Sequence, residues 1–328
     1  PEIIKNKDLI HEVSLFKPTL SDIYSTHYAD FMDTFDKIAI PSYLKNAFFI
    51  EGGSLAVENA LKAAFDWKIR KNLENGLDVD EDMKIIHFKQ AFHGRSGYTL
   101  SLTNTSDPRK TMYFPKFDWP RIDNPYLSYP INDDVIESVK AKEDMAVSQI
   151  LEAIKTNRNK IAGLIIEPIQ GEGGDNHFRC RFFQKLRNLA DEHEFLLIYD
   201  EVQTGVGITG KMWAHEHFSD CLPDIISFGK KSQVCGILVG DRVNEVDNNV
   251  FQQSSRINST FGGNLTDMVR FKIILETIRD FDLLDNAQNN GNYLLKKIND
   301  LENEFPAFII NSRGLGLFCA FDLPSSVE

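Results

Sequence analysis

The chain has 328 residues, 42% of them hydrophobic, with 36 Lys and Arg against 48 Asp and Glu for a formal charge of −12. That length supports a large core with a lesser lobe, and an acidic balance without a basic run argues against nucleic acid and anionic membrane surfaces as partners. No apolar stretch approaches the about 18 residues that span a bilayer, and no signal peptide precedes the first helix.

Residue 1 is proline, which marks a processed chain, a fragment, or the ordered part of something longer. Residues 21–38 carry Ile23, Tyr24, Ala29, Phe31 and Phe35 among charges and read as a packing helix capped by Ser21. Residues 47–50 form a short apolar strand that runs into Glu51-Gly52-Gly53-Ser54, after which Val57, Ala60, Leu61, Ala64 and Phe65 mark one helix face. A strand, glycine turn and helix N-terminus offer free N–H groups and a positive dipole end to an anion, and the Ser54 hydroxyl adds a donor. Read alone, Gly-Gly-Ser also fits a plain turn.

Residues 73–83 form an acidic surface loop, and residues 84–88 return to the sheet before the segment FHGRSGYT. There Phe92, beside a glycine turn, can stack on a flat heteroaromatic ring, and Arg95 can grip a carboxylate through its planar fork. Taken singly, they are equally a core Phe and a surface Arg. Residues 104–130 gather prolines and aromatics and read as a long ordered loop. Residues 133–156 read as a covering helix with a stripe of Val135, Val139, Ile150, Leu151 and Ile154. Residues 161–166 are a buried strand ending in EPIQGEGG. Its glycines let the chain lie close over a ligand, and Glu167 and Glu172 can reach one pocket.

The stretch from Phe195 organises the rest. An apolar run without helical spacing, residues 195–199, reads as a buried parallel strand that delivers Asp200 and Glu201 to the sheet's carboxyl edge, where ligands bind. A second run, residues 224–228, stops at Gly229 and is followed at once by Lys230 and Lys231. An acid and a lysine facing one site suit pyridoxal phosphate chemistry, in which a lysine amine forms a Schiff base with the aldehyde and a carboxylate partners the pyridinium nitrogen. On these residues alone, acids that cap a turn and solvated lysines fit as well.

The run DEVQTGVGITG, with Pro223-Asp224-Ile225 and Phe228-Gly229-Lys230, resembles the signature of class III (ornithine/GABA-type) pyridoxal-phosphate aminotransferases, and FHGRSGYT is similar to that family's aromatic-x-G-R motif. The resemblance implies an α/β protein of fold type I, with a mostly parallel central sheet, flanking helices and a smaller, incomplete α+β C-terminal lobe. It implies pyridoxal 5'-phosphate as cofactor, with Lys230 rather than Lys231 carrying it and Asp200 pairing with the ring nitrogen. Gly53 and Ser54 would hold the phosphate. Phe92 and Val202 would pack on opposite ring faces, and Gln203 would reach the phenolic oxygen. Arg95 would bind the substrate α-carboxylate, which turns the distal amine toward the cofactor. Glu172 would pair with an arginine beyond Glu328 and release it for the dicarboxylate acceptor; Glu167 and Asn258 are further substrate-side candidates. Thr260 would reach the phosphate of the other subunit, so a homodimer shares its active sites.

The two histidines His215 and His217 would lie on different sides of a helix, which speaks against a metal, and His93 reads as a pocket-wall or hydrogen-bonded histidine. Ser259-Thr260 before Gly262-Gly263 is another anion-friendly turn, and also a simple helix-capping loop. A helix follows from Thr266, then one over residues 287–301, then strands at 307–310 and 315–321 with Arg313-Gly314-Leu315-Gly316 as the turn between them. Cys180, Cys221, Cys235 and Cys319 lack C-x-x-C spacing and read as ordinary buried thiols rather than a zinc site or disulfide framework. The expected organisation is an N-terminal helical segment (1–40), a large cofactor-binding α/β domain (41–283) and the start of the small lobe (284–328). The expected reaction moves the ε-amine of L-lysine to 2-oxoglutarate in the cytoplasm. The alternatives are an ornithine, GABA or diaminobutyrate aminotransferase, and a non-catalytic remnant of the fold.

Overall fold

A computed structural model describes residues 1–79, 82–218 and 220–324. Seven strands form the main sheet: β1 (Asn46–Ile50), β2 (Lys84–Phe88), β3 (Arg121–Ile122), β4 (Ile161–Ile166), β5 (Leu196–Asp200), β6 (Ile225–Phe228) and β7 (Cys235–Val239), in the order β1-β7-β6-β5-β4-β2-β3. Only β7 runs against its neighbours; the other pairings are parallel. Strands β4, β5 and β6 are buried at every position, which is why they are continuous apolar runs: helices cover both faces of the sheet and no position is left for a polar alternation.

Residues alternate between two cores. Leu196, Ile198, Ile225 and Ile237 pack with Val57, Ala60, Leu61 and Trp67 of helix α4 (Gly53–Glu74), where α1 (Glu2–Lys5), α2 (Lys7–Ser14) and α3 (Thr26–Ile38) precede it. Leu197, Tyr199, Ile226 and Leu238 face the other way, toward an aromatic layer. In that layer Phe35 of α3 stacks on Phe31 and packs at a tilt against Phe49, Phe228 and Phe271, at ring-centroid distances of 5.4–6.0 Å. Each such pair adds about 0.5–1.5 kcal/mol beyond burial, so truncating Phe35 to Ala costs about 3–5 kcal/mol.

The later helices are α5 (Thr99–Leu102), α6 (Asp133–Thr156), α7 (Cys180–Glu192), α8 (Leu265–Asp280) and α9 (Leu283–Glu304), and a separate hairpin pairs β8 (Ile310–Leu315) with β9 (Phe318–Asp322). Several elements differ from the sequence reading. Helix α3 starts at Thr26 because Ser25, not Ser21, accepts from the Tyr28 amide at 3.2 Å. The long loop after Asn104 contains β3 and a short turn of 3-10 helix. On α6 the inward positions are Val139, Ala146 and Ile150, whereas Leu151 is exposed. The first strand of the hairpin begins at Ile310, so Arg313 and Gly314 lie within it, and the turn sits at Gly316-Leu317. Cys221 and Cys235 are buried, but Cys180 is exposed at the start of α7 and Cys319 is half-buried. Among the described residues no helix is long and apolar enough to cross a membrane.

Candidate active site

Parallel register brings the strand ends level. Ile166 pairs with Tyr199 and Asp200 with Ser227, so Glu167, Asp200 and Gly229 share one edge of the sheet. Strand β1, antiparallel to β7, runs parallel to β6 and delivers the N-terminus of α4 to that same edge. A cavity of about 260 Å³ opens there. Gly53, Ser54, Phe92, Arg95, Glu167 and Asp200 line it, together with Val202, Gln203 and Lys230. Nine of the residues proposed from the sequence therefore meet in one hollow.

Asp200 is 3% exposed and accepts from three donors. Its Oδ1 accepts from the Val202 amide at 3.1 Å and from the Ser227 hydroxyl at 3.0 Å, while His93 Nδ1 donates to Oδ2 at 2.8 Å. His93 is itself buried, and its Nε2 has no partner. Lys230 Nζ donates to Gln203 Oε1 at 2.7 Å. Lys230 also has a left-handed backbone, φ 56°, a costly conformation for a residue with a side chain. The preceding Gly229 is needed for contact: a Cβ there would come 2.9 Å from Cys235 Sγ and 3.5 Å from the Gly53 Cα.

The adjacent Lys231 faces away from the cavity's lining and donates to the Gln203 carbonyl at 2.6 Å. Burial, and then the charge on Lys230, lower its pKa to about 8. The opposite shift occurs at Glu167, where burial and then the charge on Asp200 push the carboxyl well above the usual range. Glu167 Oε1 accepts from the Phe92 amide at 2.9 Å, which fixes the aromatic turn against β4.

At the N-terminus of α4, Gly52 provides no side-chain cap, so orphan N–H groups face the cavity mouth. Ser54 Oγ lies 2.6 Å from Ser96 Oγ and 2.7 Å from Thr99 Oγ1, and Ser96 donates to Glu58 at 2.6 Å. Gly94, φ 113°, passes so close that a Cβ would overlap Ser54. Of these hydroxyls only Ser54 is marked by the sequence pattern; Ser96 and Thr99 are not, and Ser227 has one visible signal, a lone polar residue in an apolar strand, opposite an acid.

Three nominated residues lie elsewhere. Glu172 is outside the cavity lining and forms an ion pair with Lys110. Asn258 and Thr260 are exposed, and Asn258 lines a different hollow with Tyr28 and Phe48. Among the described residues no group of three or more His, Cys, Asp or Glu is arranged to hold a metal ion.

The residues present fit pyridoxal phosphate. A lysine amine, a buried acid with three donors, two apolar walls and a helix N-terminus with a serine hydroxyl converge on one cavity. Fold and site together define a pyridoxal-phosphate-dependent transferase of fold type I. The aminotransferase class III profile matches residues 17–328, and the chain belongs to that family, whose members use pyridoxal 5'-phosphate. Over 331 residues the chain is 49% identical to the L-lysine-epsilon aminotransferase of Mycobacterium tuberculosis, covering all of this chain and 73% of that protein. It is 45% identical to the enzyme of that name from Streptomyces clavuligerus, covering 99% and 71%. A 4-aminobutyrate aminotransferase of Dictyostelium discoideum is 33% identical, covering 100% and 68%. A solved structure of lysine aminotransferase from M. tuberculosis in the internal aldimine form superposes with a TM-score of 0.95 at 49% identity, covering 100% and 75%.

Proposed function

We propose that the protein transfers the ε-amine of L-lysine to 2-oxoglutarate, giving 2-aminoadipate 6-semialdehyde and glutamate, as a cytoplasmic homodimer. The observation that carries the reading is the opposed pair across one cavity, Lys230 on Gln203 and Asp200 on three donors. The substrate assignment is supported by the two lysine-epsilon aminotransferase relatives at 45–49% identity, against 33% for the 4-aminobutyrate enzyme.

In this reading pyridoxal phosphate, when bound, supplies an electrophilic aldehyde and an electron-withdrawing ring. Lys230 would hold it covalently, Asp200 would keep its ring nitrogen charged, and Gln203 would reach its phenolic oxygen. Phe92 and Val202 would enclose the ring, while Gly53 and Ser54 would bind phosphate, joined by Thr260 of the partner subunit. The Lys230 amine, once displaced by the substrate amine, would serve as the base that takes a proton from the substrate carbon bearing the reacting amine, and as the acid that returns it. Arg95 fixes the α-carboxylate of lysine at the far end, so that the distal amine is the one presented. Glu172, with Glu167 and Asn258 on the substrate side, discriminates amine donor from dicarboxylate acceptor.

The test is the amine-donor half-reaction, followed by the change in cofactor absorbance. Lysine should convert the cofactor at least tenfold faster than ornithine, GABA or diaminobutyrate, and 2-oxoglutarate should reverse the change. Faster conversion by ornithine or GABA overturns the substrate assignment.

A further inference from the structure

Arg313 on β8 is 4% exposed, and its guanidinium leaves the small lobe to grip the large one. Nε donates to the Asp175 carbonyl at 2.9 Å and Nη2 to the Gly174 carbonyl at 2.6 Å. The remaining bonds go to the Asn311 carbonyl at 2.6 Å and to Asp322 Oδ1 on β9 at 2.8 Å. A buried cation is expensive, and an apolar side chain would fill a hairpin position at lower cost. What the arginine does that an apolar residue cannot is bind two successive carbonyls of another element through its planar fork.

Those carbonyls belong to the glycine loop that follows β4 and carries Glu172. The loop is closed at its base, where Gln170 and Asn176 exchange backbone hydrogen bonds of 3.0 and 2.9 Å. Its near side is blocked: a Cβ on Gly171 would come 2.6 Å from Gln203 Nε2, and one on Gly173 would overlap the Gln90 carbonyl. Arg313 holds the remaining limb. The hairpin also seizes a second loop, because the Leu317 amide donates to the Ile208 carbonyl at 2.9 Å, five residues past Gln203. One hairpin of the small lobe thus touches the loop of Glu172 and the segment of Gln203.

We propose that Arg313 is a positioning residue for Glu172: by fixing the carbonyls of Gly174 and Asp175 it sets where the Glu172 carboxylate stands relative to the cavity, and so tunes donor against acceptor. The inference rests on the reading of Glu172 as the substrate-discriminating carboxylate. Arg313→Lys keeps the charge near Asp322 but cannot span both carbonyls.

The experiment compares Arg313→Lys, Glu172→Gln and the double variant in the holoenzyme, with the two half-reactions measured separately. Amide hydrogen exchange over residues 170–176 provides a readout independent of activity. In Arg313→Lys, exchange at Gly174 and Asp175 should rise at least tenfold with the cofactor absorbance unchanged. The ratio of KM for lysine to KM for 2-oxoglutarate should shift at least fivefold, and in the Glu172→Gln background the second substitution should leave that ratio unmoved. Unchanged exchange, or a KM effect that multiplies through the Glu172→Gln background, overturns the proposal. Should neither lysine nor 2-oxoglutarate react in the wild type, the functional reading fails, and exchange still decides whether Arg313 grips the loop.

Discussion

Glu201 is 1% exposed, and its charge is held by the segment it organises. Its Oε1 accepts from the His215 amide at 2.8 Å and from His215 Nδ1 at 2.9 Å; its Oε2 accepts from the Ala214 amide at 3.0 Å and from the Thr204 hydroxyl. The carboxylate thereby caps the short helix Ala214–His217 and closes the loop that bears Val202 and Gln203. In Glu201→Gln one oxygen can still serve His215, but the amide nitrogen now faces the Ala214 N–H, which cannot rotate away. An orphaned buried donor costs about 1–3 kcal/mol and loss of a buried, hydrogen-bonded charge about 3–5 kcal/mol, so the whole should fall near the upper range. At about 1.5 °C per kcal/mol for a chain of 328 residues, the melting temperature should drop by roughly 6 °C. A pH series sharpens the test. Burial alone would raise the Glu201 carboxyl, but hydrogen bonds and charge from His215 outweigh it and bring the group below its ordinary 4.5. A depressed carboxyl contributes stability above its unfolded value and loses it as pH falls through the folded one. The gap between wild type and variant should therefore be full at neutral pH and close on acidification below about 4.5. Thermal unfolding by circular dichroism reads both. A variant within 1 kcal/mol of wild type at pH 7 would refute the reasoning.

Lys230→Ala should abolish turnover and the absorbance of covalently held cofactor while leaving the melting curve of the apoprotein in place; normal activity would end the assignment. Gly94→Ala should weaken pyridoxal phosphate binding at least tenfold in a cofactor titration, because its Cβ would overlap Ser54 and come 2.9 Å from Thr99 Oγ1. Gly76→Ala is the control, with a positive φ of 67° and nothing within 4 Å, and equal binding by both variants would contradict the clash argument. Glu167→Gln should gain in relative stability as pH rises. The raised wild-type carboxyl gives stability that is complete below its unfolded value of 4.5 and is lost as pH climbs through the folded one. A melting-temperature difference that stays constant from pH 5 to 9 would exclude this.

The residues proposed to carry the chemistry themselves were legible along the chain. Asp200 and Lys230 stood out because a strand buried on both faces has no polar positions until its end, so a charge there marks the sheet's edge. Helix α6 was legible to its bounds because its charges and apolar positions repeat locally. Strands β3 and β7 were not: β3 has two residues, and β7 is defined by antiparallel pairing with β6 just before it and with β1 far along the chain, neither of which leaves a local period. The same division runs through the site. Ser227 acts because parallel register sets it opposite Asp200, Gly94 because Ser54 passes within contact, and Arg313 because a loop 138 residues away turns its carbonyls toward β8. A serine, a glycine or an arginine has no meaning of that kind until pairing supplies its neighbour.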